Sequence, residues 1–231
     1  MANSTFKNLL LASLPQRDQG LFANLQRVPL TLKKIVYEEG SALNFIYFIE
    51  EGVASILMNL ANGDTIEIGM VGREGMIGVS ALLGAKNSAQ QVVVQAGGTA
   101  LRLRAESCKA IFDKSAAFRK IALRFLDSFF NLTAQTAACN SLHVIEQRCA
   151  RWLLMATERI QSDSIPMTHE FLSSMIGVRR AGVTETAGEL QRLGLIRYSR
   201  GQFTITDRKG LEAISCECYG IDHHQYRRLR S

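Results

Sequence analysis

Two adjacent arginines, Arg179 and Arg180, stand at the head of an unusual stretch, GVRRAGVTETAGEL, residues 177–190. In a helix, Gly182 and Gly188 would each cost about 1 kcal/mol against alanine. A face built from Ala181, Gly182 and Thr184 leaves room for something to come close. Arginine at one end of such a face has the chemistry of guanine recognition, because its planar guanidinium can donate two parallel hydrogen bonds to O6 and N7. Glu185 can accept from cytosine N4, and Thr184 can touch a thymine methyl. Arg179, Arg180, Ala181, Thr184 and Glu185 are therefore candidates for reading base edges.

Such side chains read DNA only if a scaffold presents them, and the flanking sequence supplies one. In MTHEFLSSMIGV, Thr168 is a good N-cap, since its hydroxyl can accept an orphan backbone N–H. A short helix should follow and end near Met175. Gly177 then allows a tight turn between helices. Leu172, Ile176, Val178 and Val183 fall where a helix-turn-helix builds its internal core, and Ser173 is small where the two helices approach. Val183, Ala187 and Leu190 recur at helical spacing and should point inward. Thr186 is the one soft spot, at a place where an aliphatic residue is usual. The outward face is then slim enough for a major groove about 12 Å wide, with the arginines at the end where a recognition helix meets bases. Beyond Gly194, LIRYSRGQFTIT alternates and turns at Arg200-Gly201, so a two-stranded wing is expected. Arg197, Arg200 and Gln202 on the wing, with Thr168 and His169 at the start of the first helix, are candidates for phosphate contact. The partner implied is double-stranded DNA.

The charge balance agrees. The chain of 231 residues carries a formal net charge of +6, and positions 179–209 hold seven Lys or Arg against three Asp or Glu. No apolar run reaches the length of a membrane span, so no membrane partner is expected. LLLASL near the N-terminus reads as an amphipathic first helix and not as a signal peptide, which makes the expected location cytoplasmic. Five cysteines, Cys108, Cys139, Cys149, Cys216 and Cys218, are then expected as free thiols. The C-x-C at Cys216 and Cys218, with His223 and His224 nearby, could be half of a metal site, but it lacks the paired C-x2-C of common zinc sites. No metal and no cofactor are assigned. No Ser/His/Asp set, paired carboxylates or phosphate loop is present, so catalysis is not expected.

Residues 28–104 read as short strands punctuated by turns: KKIVYEEG, NFIYFIEEG, VASILMNL, TIEIGMVG, QQVVVQ and TALRLR, with ANGD as a hairpin signal. Several short strands at this spacing suggest a sandwich or barrel. AESCKAIFDKS should be a short helix. AAFRKIALRFLDSFFNLTAQTAACNSL follows, with no Pro or Gly. That helix is too long for one small barrel to hide, so Ile121, Phe125, Phe129, Leu132 and Ala137 are expected to face a partner helix. VIEQRCARWLLMATERI places Ile145, Cys149, Trp152, Leu153 and Ala156 on one stripe.

A strand-rich roll, a long helix and a winged helix-turn-helix together resemble the Crp/Fnr family of bacterial transcription regulators. The resemblance covers essentially the whole chain. It rests on YEEG, FIYFIEEGVASI and GREGMIGVSALLG in the first half and MTHEFLSSMIGVRRAGVTETAGELQRLGLI in the second. It implies an α+β fold with a cyclic-nucleotide-binding-like β-roll over 1–115, a dimerisation helix over 116–143 and a winged helix-turn-helix domain over 144–231. It also implies a homodimer on a palindromic operator and contact with RNA polymerase.

The family's cyclic-nucleotide cassette is degenerate here. A Gly-Glu pair holds the ribose in the members that bind cAMP, but Gly75 is followed by Met76. Gln90 and Gln91 lie near the place where an arginine binds the cyclic phosphate. Losing that arginine removes a charge-assisted hydrogen bond of about 1.5–3 kcal/mol. Glu74 would repel a phosphate, and Arg73 is out of register with the cassette. The pattern speaks against cAMP and leaves the small-molecule effector unidentified. Other family sensors use an iron–sulfur cluster held by N-terminal cysteines, which this sequence lacks before Cys108. For haem, His143 and Cys108 are candidates by residue type alone, and a packing role suits His143 better. A thiol response through Cys139 remains open. The alternative function is a cyclic-nucleotide-binding signalling module.

Overall fold

A computed structural model describes residues 6–230, with side chains to 227. By contact density the chain forms two compact units. Of the described residues, one comprises 6–56, 70–131 and 226–230; the other comprises 57–69 and 132–225.

The first unit opens with α1 (Leu9–Ala12) and α2 (Gln16–Gln19). Asn8 caps α1 by accepting from the Leu10 and Leu11 amides, while its amide group donates to the carbonyls of Ile49 and Gly75. The expected first helix is thus a single buried turn pinned to the roll. Six strands follow: β1 (Gln26–Leu30), β2 (Ile35–Tyr37), β3 (Phe45–Asn59), β4 (Thr65–Val71), β5 (Met76–Ile77) and β6 (Gln91–Arg104). The sheet runs in the order β1-β6-β3-β4, with β2 paired to β6 and β5 paired to β3.

Two pairs of expected strands are in fact single long ones. NFIYFIEEG and VASILMNL join as β3, and QQVVVQ and TALRLR join as β6. Gly52 bends β3 at φ +91 without ending it, a conformation that a side chain would strain. A Cβ on Gly98 of β6 would strike the Glu51 backbone, so the two strands approach here as only glycine permits. Gly52, which read as a turn, is a bend inside a strand. Strand β1 precedes the first strand segment that the sequence reading named; it holds Pro29 and pairs on one side only, where proline is tolerated.

The helices lie where expected. They are α3 (Ala105–Lys114), α4 (Ala116–Leu142) and α5 (Ile145–Ile160). On α5, Cys149, Trp152, Leu153 and Ala156 are buried. On α4 the stripe differs from expectation. Phe125 and Leu132 are buried in their own chain, Ile121 and Phe129 are half-buried, and Ala137 is exposed. Helical periodicity found the inward face. The outward apolar residues are Leu123, Phe130 and Leu142, with Phe130 72% exposed.

The second unit continues with β7 (Ser164–Pro166), α6 (His169–Ile176), α7 (Arg180–Arg192), β8 (Ile196–Ser199), β9 (Gln202–Ile205), α8 (Arg208–Ile214) and α9 (Glu217–Arg230). Strands β7, β9 and β8 form a small antiparallel sheet. Helices α6 and α7 pack on α5. No helix among the described residues is long and apolar enough to cross a membrane.

Candidate nucleic-acid interface

The Thr168 hydroxyl accepts from the Phe171 amide at 3.1 Å and starts α6. Gly177 ends it at φ +62, in the left-handed region where glycine carries no penalty. Its missing side chain is also needed for space, since a Cβ would lie 2.6 Å from Ile66 Cδ1. The Ile176 carbonyl at this turn accepts from the Arg148 guanidinium, which also donates to Asn140 Oδ1 at 3.2 Å. Leu172, Ile176, Val183, Ala187 and Leu190 are all buried, and Val178 is half-buried. Thr186 is buried as well, so the soft spot still faces the core.

On the outer face, Arg179, Arg180, Ala181, Thr184 and Glu185 are all exposed. Arg179 occupies the N-cap of α7 and Arg180 is its first residue. Arg180 lies 3.7 Å from Glu170, an exposed pair worth little and easily broken. The two arginines also border an open cavity of about 630 Å³ shared with Asp64, Thr65 and Ile66 of the same unit.

The wing forms as expected. Ser199 pairs with Gln202 across a turn in which Arg200 and Gly201 have φ of +49 and +74. Positive φ at both central residues is the preferred hairpin geometry, but arginine is an uncommon occupant of the first position. Arg197, Arg200 and Gln202 are exposed.

His169 departs from the expected phosphate role. Its ring stacks on Tyr198 of the wing at 4.1 Å and tilts against Phe203 at 5.6 Å. Its Nδ1 lies 3.0 Å from Thr184 Oγ1, whose own proton goes to the Arg180 carbonyl. Thr184 therefore accepts from His169 Nδ1–H. Nε2 is buried and has no hydrogen-bond partner among the described residues. With Nδ1 engaged by Thr184 and Nε2 buried, the His169 ring ties α6 to α7 and the wing. Burial, and then the charge of Arg180, push its pKa down.

In the roll, a cavity of about 190 Å³ is lined by Met76 and Gln90 together with Tyr37, Ile56, Val92 and, from α4, Phe125 and Phe129. Ligand pockets usually measure about 300–1,000 Å³. No lysine or arginine lines this one. The Tyr37 hydroxyl donates to the Phe45 carbonyl, and burial pushes its pKa up to about 12. Gly75 is also buried, and a Cβ there would meet the Phe125 ring and lie 2.7 Å from Val71 Cγ1. Gln91 turns away to Glu38 Oε2 at 2.8 Å. Glu74 is buried and accepts from the Gly72 amide at 3.0 Å, and Arg73 is half-buried, its carbonyl accepting from Leu9 N. Of the six cassette positions, only Met76 and Gln90 line the cavity.

The cysteines hold a feature the sequence reading missed. Cys216 and Cys218 meet Cys139 and His143 from the end of α4, and not His223, which pairs with Glu158. The C-x-C was visible in the sequence; its partners, more than seventy residues away, were not.

The Crp-like helix-turn-helix domain model matches residues 147–214, and the cyclic nucleotide-binding domain model matches residues 27–115. The chain thus carries a Crp-like helix-turn-helix domain after a cyclic nucleotide-binding domain. Solved structures share this fold. FixK2 from Bradyrhizobium japonicum superposes with a TM-score of 0.71 at 10% identity, over 83% of this chain and 98% of that one. A Crp/Fnr-family transcriptional regulator from Eubacterium rectale gives 0.68 at 21%, over 89% and 96%. A CRP-family regulator from Thermus thermophilus gives 0.70 at 19%, over 82% and 96%. At these identities the likeness shows the fold. No curated protein matches the chain.

Proposed function

We propose that this Crp/Fnr-type chain is a sequence-specific transcription regulator that binds a palindromic operator as a homodimer. The observation that carries the reading is the exposed row Arg179, Arg180, Ala181, Thr184 and Glu185 at the head of α7. Arg180 reads guanine, with Glu185 and Thr184 on neighbouring bases. Arg197, Arg200 and Gln202 on the wing, and Thr168 at the start of α6, take phosphates and fix the register.

Dimerisation runs through α4. Leu123, Asp127, Phe130, Ala134, Ala137 and Ser141 are all exposed and alternate by four and three residues, the spacing of a coiled-coil seam. A large aromatic at 72% exposure in such a row gains from a partner helix. Two recognition helices related by a two-fold axis read half-sites about one helical turn apart. As a transcription regulator it acts on RNA polymerase.

The roll belongs to a branch without the cyclic-phosphate site. Its cavity is small, apolar and free of lysine or arginine among its lining residues. A cyclic phosphate moved there would lose its hydration without gaining a cation. A small uncharged molecule suits the lining better, and Phe125 and Phe129 would carry its effect to α4.

Sedimentation of the full chain alone, and with a bound operator duplex, tests the assembly. Two chains per duplex is expected. One chain per duplex would overturn the dimeric reading.

A further inference from the structure

We infer that Cys139, His143, Cys216 and Cys218 form a zinc site that staples the end of α4 to the α8–α9 turn. The four ligand atoms, one from each residue, all lie within 4.8 Å of one another. Cys139 Sγ is 3.5 Å from Cys216 Sγ, and Cys218 Sγ is 3.6 Å from His143 Nδ1. Thiolates bound to one tetrahedral zinc at about 2.3 Å stand about 3.8 Å apart. The spacing already approaches that of a closed Cys3His set, the composition of a structural zinc site. The three sulfurs are also too close together to hold the corners of a polynuclear iron–sulfur cluster.

The surroundings supply what such a site needs. His143 offers Nδ1 to the cluster, while its Nε2 lies 3.3 Å from Glu217 Oε1. A carboxylate on the far nitrogen of a ligating imidazole fixes its tautomer and orientation. Gln135 Nε2 donates to Cys218 Sγ at 2.9 Å. Three thiolates around Zn²⁺ leave one net negative charge, and Arg148 and Arg151 both act electrostatically on Cys139. The cluster does not depend on the metal for its approach. A buried pair, Arg151 Nε to Asp222 Oδ2 at 2.6 Å, holds α9 against α5, and Arg151 also donates to Thr136 of α4.

The location gives the site a consequence. Asn140, next to Cys139, accepts from Arg148, which also holds the Ile176 carbonyl at the helix-turn-helix turn. A metal that fixes the end of α4 therefore fixes the anchor of that turn. Binding requires deprotonated thiols and releases their protons to solvent, with no change of oxidation state.

The test uses the full chain. Metal analysis of the protein purified without chelator should find about one zinc per chain. Each of Cys139→Ser, Cys216→Ser and Cys218→Ser should cut that more than tenfold, while Cys108→Ala, outside the cluster, should keep it. If the variants do not fold, cobalt titration of the stripped wild-type chain reads the ligands directly. One equivalent should give intense tetrahedral bands with thiolate charge transfer. Glu217→Gln should weaken binding about tenfold through the imidazole. A wild-type chain with no metal and no cobalt spectrum would overturn the proposal. So would a Cys139–Cys216 disulfide in the purified protein, the absorption of an iron–sulfur cluster, or full zinc content in Cys216→Ser.

Discussion

His169 on α6 donates its Nδ1 proton to the Thr184 hydroxyl on the outer face of α7, at 3.0 Å. Stacking of the same ring on Tyr198 links both helices to the wing. The first helix, the recognition helix and the wing are thus one mechanical piece around a neutral imidazole.

This arrangement predicts a pH dependence. Burial and Arg180 hold the folded pKa of His169 below its ordinary value. The unfolded chain takes up a proton near about pH 6.5, and the folded domain does so only at lower pH. Unfolded protein then binds more protons, so stability is intact above that value and falls as pH drops below it. The melting temperature should fall more between about pH 7.5 and about pH 5.5 in wild type than in His169→Gln. Equal falls would show that His169 does not titrate in this way.

Arg180→Ala should cost about 1–3 kcal/mol on the preferred operator and relax one base position. Among the described residues its guanidinium makes one ion pair, the long, exposed contact to Glu170, so the fold should not suffer. Anisotropy titrations against single-base operator variants check this. A uniform loss on every sequence would reassign Arg180 to phosphate.

Arg200 combines a strained φ with an exposed charge. Arg200→Asn should raise stability by up to about 1 kcal/mol, because asparagine tolerates the left-handed region better. It should also weaken binding on all sequences alike and reduce the slope of log affinity against log salt by about one. A stability gain with an unchanged slope would remove the wing tip from the interface.

Gly75→Ala would drive a methyl into the Phe125 ring and Val71. The close packing here should turn that into a loss of about 1–3 kcal/mol, read as a lower melting temperature. An unchanged melting temperature would mean that α4 and the roll yield freely at this point.

The helix-turn-helix was legible because its signals are local. Thr168, Gly177, Leu172 and Val183 sit within a few residues of the features they specify, and Arg200-Gly201 marks its own turn. The length of α4 was equally plain. Its outward face was not, because an apolar residue at helical spacing does not declare which neighbour it will meet. Phe125 packs against Gly75, fifty residues upstream, and that left Phe130 outside. His169 read as a phosphate contact, yet aromatic partners from β8 and β9 pack on its ring. The cysteine cluster is the extreme case, since Cys139 and Cys216 are brought together by folding alone.

Selection from a pool of random duplexes at fixed salt, with and without cAMP, tests the central claim most directly. The account predicts that the full-length chain retains one palindromic sequence, with half-sites about one helical turn apart, equally in both samples. Recovery of no enriched sequence in either sample would contradict the claim that this helix-turn-helix reads DNA by sequence, and a palindrome recovered only with cAMP would contradict the reading of Met76 and Gln90.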